Sequence, residues 1–176
     1  MQLSTNVTYY YNNIQTPIGE LYLIATATHL IAVLWKEEWE GKNPSWMIIK
    51  DQHHPLLQET ANQLKSYFQQ QRTTFDLPIQ LLGTTFQNKV WQALQKIPYG
   101  KKSSYKGIAS SIGSPNASRA VGAANGQNSI PIIIPCHRII GVSNRLIGYS
   151  GGLERKAFLL NLEKSAKAPF LFGEKF

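Results

Sequence analysis

Ser103-Ser104-Tyr105-Lys106-Gly107-Ile108-Ala109-Ser110-Ser111-Ile112-Gly113-Ser114-Pro115-Asn116-Ala117-Ser118-Arg119-Ala120-Val121-Gly122-Ala123-Ala124-Asn125 reads as two short helices joined by a tight turn. Ser103-Ser104 supplies a cap, Tyr105, Ile108, Ala109 and Ile112 recur at helical spacing, and Gly113 stops the first helix. Ser114-Pro115-Asn116 is a turn signal, and the second helix runs from Ala117 to Asn125. Two such helices with a three-residue connection form a helix-turn-helix. The second helix is built almost wholly from small residues around one large polar side chain, Arg119. Small side chains permit close approach. Readout in a major groove would call for several Arg, Asn or Gln side chains, which this helix lacks.

Downstream lies Ile130-Pro131-Ile132-Ile133-Ile134-Pro135-Cys136-His137-Arg138, which contains the only cysteine of the chain. The apolar run reads as a short buried strand, and Pro135, with no N–H for a ladder, marks where it leaves its sheet. A thiol at a strand's end faces a cleft. Set beside an imidazole and a guanidinium, it is expected to favour thiolate below the reference value of about 8.5. A buried structural cysteine is the plain alternative, but two strongly polar neighbours argue against it. His137, adjacent along a strand, should point away from Cys136. A further helix is expected over Leu153–Leu162. Glu163 at its end opposes the helix dipole and needs a compensating partner, for which Lys164 is the nearest candidate.

The formal charge of +8 is unevenly spread: residues 1–82 carry 5 Lys/Arg against 7 Asp/Glu, and residues 83–176 carry 13 against 3. Such a basic half offers salt-dependent, sequence-independent attraction to a phosphate backbone. One cysteine allows no internal disulfide, as suits a reducing cytosol. It also excludes a Cys-rich zinc site, and His29, His53 and His54 do not replace one. No apolar run approaches the roughly 18 residues of a membrane span, and Met1–Thr8 is too polar for a signal peptide.

The chain should form two domains, 1–82 and 83–176. In the first, Val7–Tyr11, Glu20–Ala25 and Leu30–Trp35 alternate as strands of an antiparallel sheet, with Pro17-Ile18-Gly19 as a turn. His54-Pro55 opens a helix whose stripe is Leu56, Leu57, Ala61, Leu64 and Phe68; Gln69–Thr74 ends it. The stretch from Asp76 to Thr85 is the linker. Thr84 or Thr85 then caps a helix presenting Phe86, Val90, Trp91 and Leu94, ended by Pro98-Tyr99-Gly100. The fold class is α/β (α+β): a small antiparallel-sheet domain with one helix, then a mainly helical domain with a helix-turn-helix and a short active-site strand.

Pro135-Cys136-His137-Arg138, Gly148-Tyr149-Ser150-Gly151-Gly152-Leu153-Glu154-Arg155-Lys156 and Arg119-Ala120-Val121-Gly122 with Asn128 together closely resemble, in order and spacing, the motifs of the O6-alkylguanine-DNA alkyltransferases, also called methylated-DNA-protein-cysteine methyltransferases. The resemblance spans residues 83–165. Residues 8–80 are similar more loosely, through Thr16-Pro17-Ile18-Gly19. It implies a DNA repair protein in which the Cys136 thiolate displaces guanine from the alkyl carbon on O6, and possible action on O4-alkylthymine. The thioether formed is not reversed, so each molecule reacts once, without cofactor or metal.

The resemblance also implies roles for single residues. His137 acts on the thiol through a water, with Glu163 accepting from the other imidazole nitrogen. Tyr105 donates to the base, the main chain at Ser150 and Ile139 lies along its edge, and Tyr149 lines the alkyl pocket. Asn128 braces the loop before Cys136. The small helix enters the minor groove of double-stranded DNA, and Arg119 replaces a base rotated out of the stack. Lys106 and Ser114 are further DNA-contact candidates, and Arg138 a structural ion-pairing residue. A monomer in the cytoplasm, or in the nucleus of a eukaryote, is implied. The rival reading is a non-catalytic protein that binds alkylated DNA, against which Cys136 argues; a cysteine hydrolase is a third. Two departures stand out. Ser129 occupies a position where the family commonly has proline, which suggests a more mobile loop. Val142-Ser143-Asn144-Arg145 lacks a usual glycine, leaving Asn144 to supply a positive φ.

Overall fold

The computed structural model describes residues 7–40, 48–141 and 148–165; the Val142–Arg145 turn considered above lies outside them. The N-terminal half is a four-stranded sheet in the order β3-β2-β1-β4, built from β1 (Tyr9–Thr16), β2 (Gly19–Ala25), β3 (Leu30–Trp35) and β4 (Ile48–Lys50). β1, β2 and β3 form an antiparallel meander, whereas β4 lies parallel to β1. The parallel edge strand is too short to show a period in sequence. β1 runs five residues beyond Tyr11, because its polar positions are carried by the ladder to β2 and by Asn13 Nδ2 donating to Glu20 Oε1 at 2.6 Å. Pro17-Ile18 is a two-residue loop, closed by the Thr16–Gly19 pair with Gly19 at φ 112°.

Every residue of β3 is buried, since one face joins the main core and the other a smaller cluster with Tyr9 and Ile24. Its outer edge is sealed rather than left to template another strand. Leu30 N–H donates to Pro78 O and Val33 N–H to Ser129 O, each at 2.8 Å. A short helix α1 (Lys36–Glu40) follows β3. α2 (Pro55–Phe68) starts with proline at its first turn, where the missing N–H costs nothing. Its buried face is Leu57, Thr60, Gln63, Leu64 and Tyr67, less apolar than the expected stripe. The polar members are used: Gln63 exchanges hydrogen bonds at 2.9 Å with the backbone of Asp76, pinning the linker.

In the C-terminal half, α3 (Thr85–Gln95) begins with a capping box between Thr84 and Gln87. β5 (Ser103–Ser104) leads into α4 (Tyr105–Ser111), capped by the Ser104 hydroxyl accepting from Gly107 N–H at 3.0 Å. α5 (Ser118–Gly126) packs on α3 and α4, β6 (Ile139–Ile140) pairs in parallel with β5, and α6 (Leu153–Ser165) completes the described residues. One continuous core joins both halves, from Leu21, Trp35 and Tyr67 to Val90, Val121, Ile130, Cys136 and Leu159.

Ile130–Pro135 is not a strand. It folds as a tight turn, with Ile134 N–H donating to Ile130 O at 2.9 Å and Ile132 at φ 74°, and Cys136–Arg138 then form a 3-10 turn. The short strand lies after the cysteine, at β6. A buried apolar run has no period that distinguishes strand from buried turn. Two prolines remove the ladder donors here, and side-chain amides take over their pairing.

Candidate active site

Cys136 opens the 3-10 turn, and only 1% of its surface is exposed. Its N–H donates to Ile134 O at 2.8 Å, and its carbonyl accepts from Asn125 Nδ2 at 3.4 Å. Asn128 spans the preceding loop: Nδ2 donates to Ile134 O at 2.9 Å, and Oδ1 accepts from Ile130 N–H at 3.0 Å. Ser129 ties the same loop to β3, its carbonyl accepting from Val33 and its hydroxyl donating to Ile31 O at 3.4 Å. The serine therefore sits in an anchored loop.

Burial pushes the Cys136 thiol up to about 11, against the pull of Asn128 and of Lys156. The electropositive neighbours expected to favour thiolate are outweighed by desolvation, because both of them are engaged elsewhere. In the 3-10 turn, with about three residues per turn, consecutive side chains diverge by about a third of a turn. His137 thus points away from Cys136 for a reason other than strand alternation.

His137, Arg138 and Glu163 form one buried cluster. His137 Nε2 donates to Glu163 Oε1 at 2.9 Å, Arg138 NH2 donates to the same oxygen at 2.9 Å, and Arg138 Nε to Oε2 at 2.9 Å. Gly100 N–H adds 3.0 Å to Oε2. Tyr67 O–H, from α2, adds 2.8 Å to Oε1. Burial would raise the Glu163 carboxyl, but the donors from His137 and Arg138 reverse this and hold it at about 2. Burial lowers the His137 imidazole, an effect only partly offset by Glu163, so the ring is neutral near pH 7. With Nε2 bearing the proton, Nδ1 is the free lone pair. It is buried and has no hydrogen-bond partner among the described residues. The compensating partners of Glu163 are Arg138 and His137 rather than Lys164, and α6 extends past Leu162 so that Glu163 lies inside its last turns.

Two tyrosines flank the thiol. Burial raises the Tyr105 and Tyr149 hydroxyls, and the proximity of Cys136 raises both further. The Tyr105 hydroxyl also faces Gly148, where a Cβ would come within 3.2 Å of it. Gly151 is wedged between Trp35 and Tyr149. A Cβ there would lie 2.5 Å from Trp35 Nε1 and 2.8 Å from Tyr149 Cε1, so only glycine fits. Ser150 is exposed on the same rim, and Ile139 is buried in β6, paired with Ser103. Arg155 stitches the rim to the N-terminal half: Nε donates to Ile18 O at 2.9 Å, NH2 to Glu37 Oε1 at 2.9 Å, and the guanidinium lies 4.4 Å from the Trp35 ring centroid.

The structure therefore brings Cys136, Asn128, Tyr105 and Tyr149 together around the thiol, with His137 and Glu163 behind it. Arg119, Lys106 and Ser114 lie apart on the helix-turn-helix; Arg119 and Lys106 are exposed, as are Ala120 and Ala123 on α5. Sequence reasoning missed Tyr67 and Lys156. Tyr67 looks like one more core aromatic, and nothing local shows that its hydroxyl reaches a carboxylate 96 positions away. Lys156 is fully buried with its ammonium group near the thiol, and burial lowers it while Cys136 opposes that. Its place inside a quoted motif was the available signal. Among the described residues, no group of His, Cys, Asp and Glu could hold a metal ion, and no helix is long and apolar enough to cross a membrane.

A buried thiol backed by an ionised glutamate and a neutral histidine, next to a helix-turn-helix with a small-residue outer face, marks a candidate nucleic-acid-binding protein with a cysteine at its site. Two family models match: "6-O-methylguanine DNA methyltransferase, ribonuclease-like domain" over residues 9–81, and "6-O-methylguanine DNA methyltransferase, DNA binding domain" over residues 85–165. The constitutive methylated-DNA-protein-cysteine methyltransferase of Bacillus subtilis is 45% identical over 157 residues, covering 88% of this chain and 95% of that protein. That of Methanosarcina barkeri is 44% identical, covering 89% and 98%. The crystal structure of Mycobacterium tuberculosis O6-methylguanine methyltransferase superposes with a TM-score of 0.84 at 43% identity, covering 93% of this chain and 97% of that one. The same organism's OGT in complex with DNA gives 0.82 over 93% and 96%. The chain belongs to the methylated-DNA-protein-cysteine methyltransferase family, and its function is DNA repair by transfer of an alkyl group from DNA to a cysteine.

Proposed function

We propose that Cys136 is the acceptor and that it takes the alkyl group from O6-alkylguanine in duplex DNA in a single turnover. The sulfur attacks the alkyl carbon, an S–C bond forms, the C–O6 bond breaks, and its electron pair leaves with guanine. The product is a thioether that nothing in the chain reverses. The observation that carries this reading is the placement of the chain's one cysteine, buried between Tyr105 and Tyr149, directly ahead of a His-Glu pair.

In the resting protein the thiol holds its proton. On substrate entry that proton passes through a water to His137 Nδ1, and Glu163 stabilises the imidazolium formed. Lys156 offers a positive charge that stabilises the thiolate. Tyr105 donates to the departing base, Tyr149 lines the space for the alkyl group, and the main chain at Ser150 and Ile139 follows the base edge. Asn128 holds the loop that presents the sulfur.

Recognition is proposed to run through the minor groove. Ala120 and Ala123 let α5 approach closely, Arg119 fills the space of the rotated base, and Lys106 and Ser114 contact the backbone. The protein is proposed to work as a monomer, in the cytoplasm or, in a eukaryote, in the nucleus. The test is a titration with excess duplex carrying O6-methylguanine: transfer should stop at one methyl per protein molecule. Continued turnover would overturn the single-use mechanism.

A further inference from the structure

The cluster behind Cys136 ends in the other half of the chain. Tyr67 is fully buried, packed against Phe68, Phe75 and Tyr99 with ring centroids 5.5, 5.4 and 5.9 Å away. Packing alone would be served by phenylalanine, as its two Phe neighbours illustrate. The hydroxyl is instead spent on Glu163 Oε1, at 2.8 Å, the same oxygen that accepts from His137 Nε2 at 2.9 Å. Arg138 and Gly100 occupy the rest of the carboxylate. A buried hydroxyl is costly unless bonded, and a carboxylate oxygen shared by several donors has less charge to offer each.

We infer that Tyr67 is a positioning residue for alkyl transfer, supplied by the N-terminal sheet half: its hydroxyl fixes Glu163 Oε1 on His137 Nε2 and limits how strongly that oxygen draws the imidazole proton. The inference rests on the proposed relay from Cys136 through His137. No atom of Tyr67 reacts. During activation the thiol proton goes to Nδ1, the Nε2 proton stays in place, and the phenol keeps its own proton, because burial and then Glu163 hold Tyr67 far above its ordinary range. The charged and titratable groups around the imidazole are Glu163, Arg138 and Lys156, with Cys136 beside it in the chain and Tyr67 and Tyr99 acting through Glu163.

Tyr67→Phe keeps the ring and removes the donor. Oε1 then attracts the imidazole proton more strongly, so His137 protonates at higher pH and the free base is lost earlier on the acid side. Two readouts apply to the full chain: the His137 imidazole titration by NMR, and the pH profile of methyl transfer from lesion duplex. Both should move upward by about half a pH unit or more. Site-specific 3-fluorotyrosine at position 67, a stronger donor, should move both downward. Phe75→Leu, which disturbs the same packing without touching Glu163, should lower the melting temperature and leave both where they are. Unmoved titrations in Tyr67→Phe, or an equal shift in Phe75→Leu, would overturn the inference by reducing Tyr67 to packing. Absence of transfer in the parent protein would instead sink the acceptor reading, while the imidazole titration would still report on Tyr67.

Discussion

The Glu163 cluster and the outer face of α5 use charge in opposite ways. Around Glu163, both carboxylate oxygens are filled by buried side-chain donors from α2 and from the 3-10 turn, and by the Gly100 N–H at the edge of the cluster. On α5 the one large side chain, Arg119, stands exposed among alanines. In the proposed mechanism, the group that sets up chemistry is held by the chain itself before any substrate arrives, and the group that meets DNA is left for the partner to complete. Changes in the first region should therefore be felt without DNA, and changes in the second only with it.

The largest expected effect falls on neither region but on the atom between them. Cys136→Ala should abolish transfer and leave duplex binding within a few-fold of the parent, measured by methyl transfer and by a binding titration. Transfer by the alanine protein would place the acceptor elsewhere.

Glu163→Ala tests the internal side. Removing the carboxylate leaves Arg138 charged and buried without its partner, which should cost about 3–5 kcal/mol of stability in denaturant unfolding. A loss below about 1 kcal/mol would mean that solvent reaches the cluster. The same pairing sets a pH dependence. The Glu163 carboxyl is held at about 2 against 4.5, so the unfolded chain binds its proton first as pH falls. That stability, on the order of 3 kcal/mol, is complete above about pH 5 and disappears toward pH 2. His137, lowered from 6.5, acts in the same direction, starting nearer neutrality. Unfolding free energies measured from pH 7 to pH 3 should decline, and the decline should be shallower in Glu163→Gln.

Arg119→Ala tests the external side. It should slow repair of lesions in duplex DNA by about tenfold or more, since unstacking a base costs a few kcal/mol, yet leave reaction with a free O6-substituted guanine base near normal. Equal slowing of both substrates would make Arg119 part of the pocket. The smallest effect is expected from Lys106→Ala, which should weaken binding to all duplex sequences alike and reduce the slope of log affinity against log salt by about 1. An unchanged slope would remove Lys106 from the phosphate contacts.

The same division governs what could be read from the sequence. The helix-turn-helix was legible because it is local: caps, a Gly stop and a Ser-Pro-Asn turn lie within a few residues of what they control. The strand expected at Ile130–Pro135 failed because its hydrogen bonds come from Asn128 and from backbone turns, not from a neighbouring strand whose pattern would show. Tyr67 was invisible as a site residue for a related reason. Its partner, Glu163 on α6, lies 96 positions away, and the long-range placement of a hydroxyl leaves no mark on helical spacing. The raised thiol of Cys136 was also hidden, since adjacent polar letters said nothing of how completely the turn is buried.

The final position of the alkyl group tests the acceptor role of Cys136 most directly. Parent protein allowed to react to completion with duplex DNA carrying one O6-methylguanine should gain the mass of a single methyl group, and peptide mapping should find it on the peptide containing Cys136. An unmodified Cys136 peptide in protein that has cleared the lesion would contradict the mechanism.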